Sequence, residues 1–311
     1  MTVEISVPSQ LTQTPRPVDV DAPVCDTLAT TWIGIDLSLL GASVPVGFET
    51  CVDYLNFPRL AASVRAAHAG GIDFVTLDSR FLTSTDVDAR DCTHDAVRTA
   101  AKLAEVSTAG IFAGVEATPA QIREATEILA RQGEGWAGIT IPLHTDSDFA
   151  GIQQAADRAR RAGLRITVII TDPAVSAERA AIVAGIADIV RLRVRDSYAA
   201  RNARFAIKAA GEELGKNILV FLELGVVISR SVAAAEERAL LIEDMNDSDL
   251  FPGIASVLGT VYNVADAIES YVGLGAADGV ILVPASLPTD LASVLKGVLP
   301  LIEARAKLEQ D

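Results

Sequence analysis

Short runs rich in valine and isoleucine alternate with stretches of helical spacing along most of the chain, and this alternation limits the fold more than any other feature. The strand-length runs are TTWIGIDLSL (30–39), IDFVTLD (72–78), TAGIFAGVE (108–116), GWAGITIPL (135–143), LRITVIITD (164–172), IADIVRLRV (186–194), NILVFLELGVV (217–227) and ADGVILVP (277–284). Between them lie helical patterns such as FPRLAASVRAAHAGG, which a Gly-Gly pair stops. Another is TPAQIREATEILARQG, with Thr118 as N-cap and Pro119 at the first helical position. Strands read as near-continuous apolar runs when helices cover both faces of a parallel sheet. Eight successive right-handed βα units close into a barrel. An open doubly wound sheet would carry a Gly-rich turn after its first strand, and DLSLLGAS is not GxGxxG. The expectation is therefore an α/β fold, a (β/α)8 TIM barrel with short loops over residues 29–311. Residues 1–28 hold Pro8, Pro15, Pro17 and Pro23 with few periodic apolar positions, and are expected to form an extended N-terminal arm.

Composition narrows the partners. The net charge of −15 disfavours nucleic acid and anionic membrane, because both are held by lysine and arginine. No run of about 18 uncharged apolar residues is present, so a soluble, cytoplasmic protein is expected. Cys25, Cys51 and Cys92 are odd in number and lack CxxC spacing, which speaks against a disulfide framework or a zinc knuckle, and no metal site is expected. Half of the residues are hydrophobic but only 5% are aromatic, so alanine, valine, leucine and isoleucine are expected to carry the burial.

Active sites of such barrels lie at the carboxyl ends of the strands. That face collects Asp36, Asp78 with Ser79, Glu116, His144 with Thr145, Asp172, Arg193 with Arg195, Glu223 and Ser286. Asp78, Glu116 and His144 are the catalytic candidates. Imidazole titrates near neutrality and suits a general base, although His144 also reads as a solvated loop residue beside Asp146. Carboxylates converging at one mouth raise each other's pKa or recruit a cation. Arg191, Arg193 and Arg195 alternate along the sixth run and put a basic face there. Pairing of these arginines with the carboxylates, as a network filling the mouth, is the structural alternative.

Several segments resemble a known family. AAHAGGIDFVTLDSRFL, STAGIFAGVEATPAQIREATEILARQGEGWAGITI, SAERAAIVAGIADIV and above all GTVYNVADAIESYVGLGAADGVILVPASLPTDLASVLKGVLPLIEAR resemble, in order, the bacterial luciferase-like flavin-dependent monooxygenases. The nitrilotriacetate and dibenzothiophene-sulfone monooxygenase branch is the nearest in pattern. The resemblance implies a luciferase-like barrel, a homodimer, that binds reduced FMN or the deazaflavin F420 and oxidises a small organic substrate, with a flavin reductase as a partner. It also implies that Asp78, Ser79, Ser176 and Arg179 face the cofactor, Ser176 taking the phosphate at a helix N-terminus. Arg179 stands where the family has glycine, and either holds that phosphate or blocks it.

The chain departs from the family at three places. GVEATPAQI lacks the histidine that follows the family's third strand, Ile139 stands in place of a flavin-contacting asparagine, and only HTDSDFAGIQQAADRARRAG joins the fourth and fifth strand runs. Two further readings follow: a degenerate luciferase-like barrel without a flavin, acting as a binding or subunit protein, and a cofactor-independent or metal-assisted lyase or hydrolase using rim carboxylates and His144.

Overall fold

The computed structural model describes residues 31–38, 57–78, 95–130, 136–246, 249–287 and 289–308. The expected N-terminal arm lies outside these residues. In chain order the first half comprises β1 (Trp32–Asp36), α1 (Phe57–Ala69), β2 (Phe74–Leu77), α2 (Ala96–Ala104), β3 (Gly110–Gly114), α3 (Pro119–Leu129), β4 (Ala137–Pro142), α4 (Phe149–Arg161) and β5 (Arg165–Ile170). The second half comprises α5 (Ala177–Ile186), β6 (Ile189–Leu192), α6 (Ser197–Glu213), β7 (Leu219–Ile228), α7 (Val232–Asn246), β8 (Ala255–Gly259), α8 (Val261–Gly273) and β9 (Gly279–Pro284). A C-terminal helical stretch follows: α9 (Thr289–Ser293), a π-helical turn (Val294–Val298) and α10 (Leu299–Leu308).

The expected barrel is present. Strands β1 to β6 pair in sequence, β6 pairs β7, β7 pairs β9, and β9 returns to β1, every pairing parallel, so that eight strands close. The ninth strand, β8, is not among the expected runs. It pairs with β7 from Leu224 to Ile228, above the point where β6 stops pairing at Leu222. Its sequence, ASVLG, is short, half-exposed and interrupted by serine, so it lacks the apolar run that marks the other strands.

Aliphatic side chains fill the layer between barrel and helices, as composition suggests. The barrel interior differs. Both tryptophans and three phenylalanines meet there with Ile189 and Ile281: Phe74 lies 5.2 Å from Phe112 edge-on and 5.4 Å from Phe221 stacked, and Phe112 lies 5.1 Å from Trp136. Glycines on adjoining strands make the room. A Cβ at Gly34 would sit 2.3 Å from the Phe74 ring, at Gly110 2.2 Å from Trp136, and at Gly138 2.2 Å from Phe112. Few aromatics suffice because they are concentrated where one packed layer must close the barrel.

Three aspartates fasten the amino-terminal rim. Each stands just before a strand and accepts the N–H of an early residue on a neighbouring strand, at 2.8 Å: Asp73 from Ile33, Asp188 from Ile166 and Asp278 from Val220. Cations close the arrangement, with Arg160 on Asp188 and with Arg204 and Lys208 on Asp278. These strand ends would otherwise leave buried donors unpaired.

Gly138→Ala should destabilise the fold by about 1–3 kcal/mol, since the new methyl must displace the Phe112 ring or the Arg165 carbonyl 2.9 Å away. Urea unfolding of the variant measures this. An unchanged midpoint would mean that the aromatic layer is loosely packed.

Candidate functional site

Side chains alternate across a strand, so the inward positions of the barrel can be read upward from the aromatic layer. Above Gly34 comes Asp36, above Phe74 comes Thr76, above Gly138 comes Thr140, above Ile189 comes Arg191 and above Phe221 comes Glu223. On β5 the inward position above Arg165, whose guanidinium stacks on Trp136, is Thr167. All six are buried, and they form a polar ring on the carboxyl side of an apolar plug.

Arg191 organises the ring. Its side chain is only 2% exposed, and its guanidinium lies 2.9 Å from Glu223, 3.4 Å from Asp36 and 3.9 Å from Asp78. Arg193, one inward position higher, reaches the second Glu223 oxygen at 3.1 Å and is 34% exposed. Asp36 also accepts the Thr76 hydroxyl at 2.8 Å and the Ser38 N–H at 2.9 Å. Three carboxyl groups therefore face two guanidiniums. Burial pushes the Asp78 and Glu223 carboxyls above the usual carboxylate range, with the neighbouring guanidiniums opposing it. Asp78 is the outermost of the three, with 40% of its side chain exposed at the mouth.

The candidates read from sequence fall in different places. Asp78 joins the Arg191 cluster, and Ser79 lies outside the described residues. Glu116 is exposed and accepts from the Gln121 side chain at 3.2 Å. His144 is exposed, its backbone N–H donated to Ser147 Oγ at 3.0 Å. Among the described residues no hydrogen bond or ion pair joins Glu116 or His144 to the cluster. Ser176 caps α5, accepting the Arg179 N–H at 3.1 Å. The Arg179 side chain donates to the Leu143 carbonyl at 2.9 Å and lies over the Phe149 ring. Among the described residues no group of three or more His, Cys, Asp or Glu side chains is placed to hold a metal ion.

Neither a family model nor a curated protein sequence matches the chain. Its structure nevertheless resembles solved enzymes over nearly its full length. EDTA monooxygenase from Chelativorans sp. BNC1 superposes with a TM-score of 0.63 at 13% identity, covering 89% of this chain and 94% of that one. Riboflavin lyase, solved with modified FMN and riboflavin, gives 0.64 at 13% identity over 89% and 92%. Coenzyme F420-dependent tetrahydromethanopterin reductase from Methanopyrus kandleri gives 0.63 at 11% identity over 88% and 99%.

The chain has the luciferase-like fold.

Within the luciferase-like barrel, the polar ring sits at the carboxyl mouth where barrel enzymes place their chemistry. Asp36, Arg191 and Glu223 were visible as polar residues at or near strand ends. Thr76, Thr140 and Thr167 were missed. The signal for them was a hydroxyl at an inward position of otherwise apolar strands, as in GITIP and RITVII.

Removing Arg191 should cost far more than an exposed ion pair. Arg191→Met leaves Asp36 buried without its cation and Glu223 with Arg193 alone, and should lose about 3–5 kcal/mol in urea unfolding. A loss below about 1 kcal/mol, as for a surface pair, would contradict the burial. The raised Asp78 pKa sets a sign for pH. The folded chain binds more protons than the unfolded chain between the ordinary value of 3.8 and the raised one, so Asp78 lowers stability as pH rises through that window. Asp78→Asn should therefore gain stability relative to the parent as the buffer moves from about pH 4 to about pH 8. A relative loss over that range would show that the carboxylate is favoured in the fold.

Proposed function

We propose that this chain is a flavin- or deazaflavin-dependent oxidoreductase, a monooxygenase in its FMN form, acting on a small organic substrate at the barrel mouth. The observation that supports the reading most is the buried polar ring itself, at the carboxyl end of a luciferase-like barrel, with Arg191 Nη1 making no hydrogen bond among the described residues and only a 3.9 Å ion pair with Asp78. A cationic donor of this kind suits the electron-rich pyrimidine edge of a reduced flavin. The names of the structural neighbours, which include an EDTA monooxygenase, an FMN-bound riboflavin lyase and an F420-dependent reductase, point the same way.

A bound reduced flavin or deazaflavin would supply the reducing equivalents, and the chain's own residues would do the rest. Asp78, its carboxyl pKa raised by burial and its side chain partly exposed, is the acid or base within reach of a ligand at the mouth. Arg193 is partly exposed and offers donors to an incoming group. The aromatic layer beneath the ring keeps water from entering through the barrel. At α5 the Ser176 hydroxyl accepts one backbone N–H but keeps its own hydrogen to donate, and Arg179 keeps guanidinium hydrogens beyond the one on Leu143, so both can serve a phosphate. Glu178 in the same first turn opposes an anion, which makes that seat the weaker half of the reading. The proposal includes His144 and Glu116 as outer groups of the mouth, a flavin reductase as supplier, a homodimer and a cytoplasmic setting. No helix among the described residues is long and apolar enough to cross a membrane.

One observation favours a second reading. Arg191 is closed in by Asp36 and Glu223 above a filled aromatic layer, as a purely structural network would be, which suits a luciferase-like barrel that binds without flavin chemistry.

Titration of the purified chain with FMN, reduced FMN and F420, followed by absorbance, separates the two. The oxidoreductase reading expects saturable binding of at least one, weakened more than tenfold by Ser176→Glu with unchanged circular dichroism. Absence of binding by all three removes it.

A further inference from the structure

The polar ring is satisfied on one side only. Toward β1, β2 and β7 its groups bond one another: Thr76 to Asp36, and Arg191 to Asp36 and Glu223. On β4 and β5, two buried hydroxyl oxygens, Thr140 Oγ1 and Thr167 Oγ1, have no hydrogen-bond partner among the described residues; Arg191 Nη1 makes no hydrogen bond either, but lies 3.9 Å from Asp78 Oδ1 beyond the end of β2. Thr140 and Thr167 are each 1% exposed, and they stand opposite each other in register. On β3 the residue in register with Thr140 is Gly114, which brings no side chain to the ring.

Such hydroxyls carry a cost. A buried donor left unmade destabilises a fold, whereas an apolar group of the same shape does not. Valine would fit both positions with the β-branched shape the strands favour. The chain keeps threonine at two neighbouring sites against its own stability.

We propose that Thr140 and Thr167, beside the bare backbone of Gly114, recognise an uncharged carbonyl group: the C=O of an amide, ketone or aldehyde carried by the substrate. Charge selects the class. Arg191 and Arg193 are already paired with Asp36 and Glu223, so a carboxylate or phosphate would bring a charge that no cation of the ring is left to meet. A cationic group would meet the guanidinium head-on. A carbonyl oxygen accepts from hydroxyl and N–H donors and adds no charge. It enters at the mouth, past Asp78 and Arg193, whose side chains are partly exposed. The inference deepens the oxidoreductase reading by naming a substrate class for the same mouth, but the recognition itself needs no flavin.

The isosteric series acetamide, acetate and acetamidinium tests it, with the full chain observed by saturation-transfer NMR. Acetamide should receive saturation and the two ions should not. Thr140→Val with Thr167→Val should weaken acetamide at least tenfold and raise the Tm of the protein without probe, while the Thr→Ser pair keeps both hydroxyls and retains binding. Acetate or acetamidinium binding as well as acetamide overturns the proposal, as does no acetamide signal or an unchanged affinity in the valine pair. A lowered Tm in the valine pair overturns it too, because the hydroxyls are then satisfied in the resting protein. Should the valine pair not fold, loss of acetamide binding in the serine pair takes its place as the contrary result. Acetamide binding to a chain that takes no flavin keeps this inference and removes the cofactor reading, and the reverse pattern does the opposite.

Discussion

One guanidinium, that of Arg191, sits inside a parallel barrel with three carboxyls around it, and the carboxyl half of the interior is arranged to make this tolerable. An unpaired ion there would be prohibitive, and even a paired one gains little over an apolar substitute. Glu223 and Asp36 supply the counter-charge at hydrogen-bond range, Thr76 and the Ser38 N–H fix the orientation of Asp36, and Arg193 bridges Glu223 to the rim. The ring rests on an aromatic floor that exists because glycines on neighbouring strands give up their side chains to it. Polarity at the mouth and dryness below it are thus two consequences of one packing scheme.

That scheme also sets the electrostatics of the mouth. Burial raises the pKa of the Asp78 and Glu223 carboxyls while the guanidiniums oppose it. Asp78 is the outermost of the three carboxyls: it is the farthest from Arg191 and the most exposed. The fold therefore presents a partly exposed carboxyl, a partly exposed arginine and unpartnered hydroxyls at the end of the barrel where such folds do chemistry. Fold alone does not assign an activity, and the neighbours' low identity limits their testimony to architecture. The case for function is made by the ring.

Much of the architecture was legible in the sequence because parallel strands under helices announce themselves as apolar runs, and the eight runs found are the eight that close the barrel. β8 was not legible, since it borrows its pairing from the upper half of a ten-residue β7 and needs no buried run of its own. The aromatic layer was not legible for a related reason: a low aromatic fraction says nothing about where the rings gather, and the signal lay in glycines at Gly34, Gly110 and Gly138 rather than in the rings. Strand-end polarity pointed to Asp36, Asp78 and Glu223, but could not rank them against Glu116 and His144, because rank depends on which residues turn inward and how deeply. Period two along the sixth run put Arg191, Arg193 and Arg195 on one face; Arg191 and Arg193 do reach Glu223, one as a buried organiser and one as a rim group, whereas Arg195 is exposed beyond the end of the strand.

A crystal structure of the chain with reduced FMN or F420 tests the central claim most directly. The account predicts the planar ring over the barrel mouth, its pyrimidine edge within hydrogen-bond distance of the polar ring and the Asp36, Arg191 and Glu223 contacts intact. A cofactor bound elsewhere, or a mouth sealed by the Arg191 network with the ligand excluded, would contradict it.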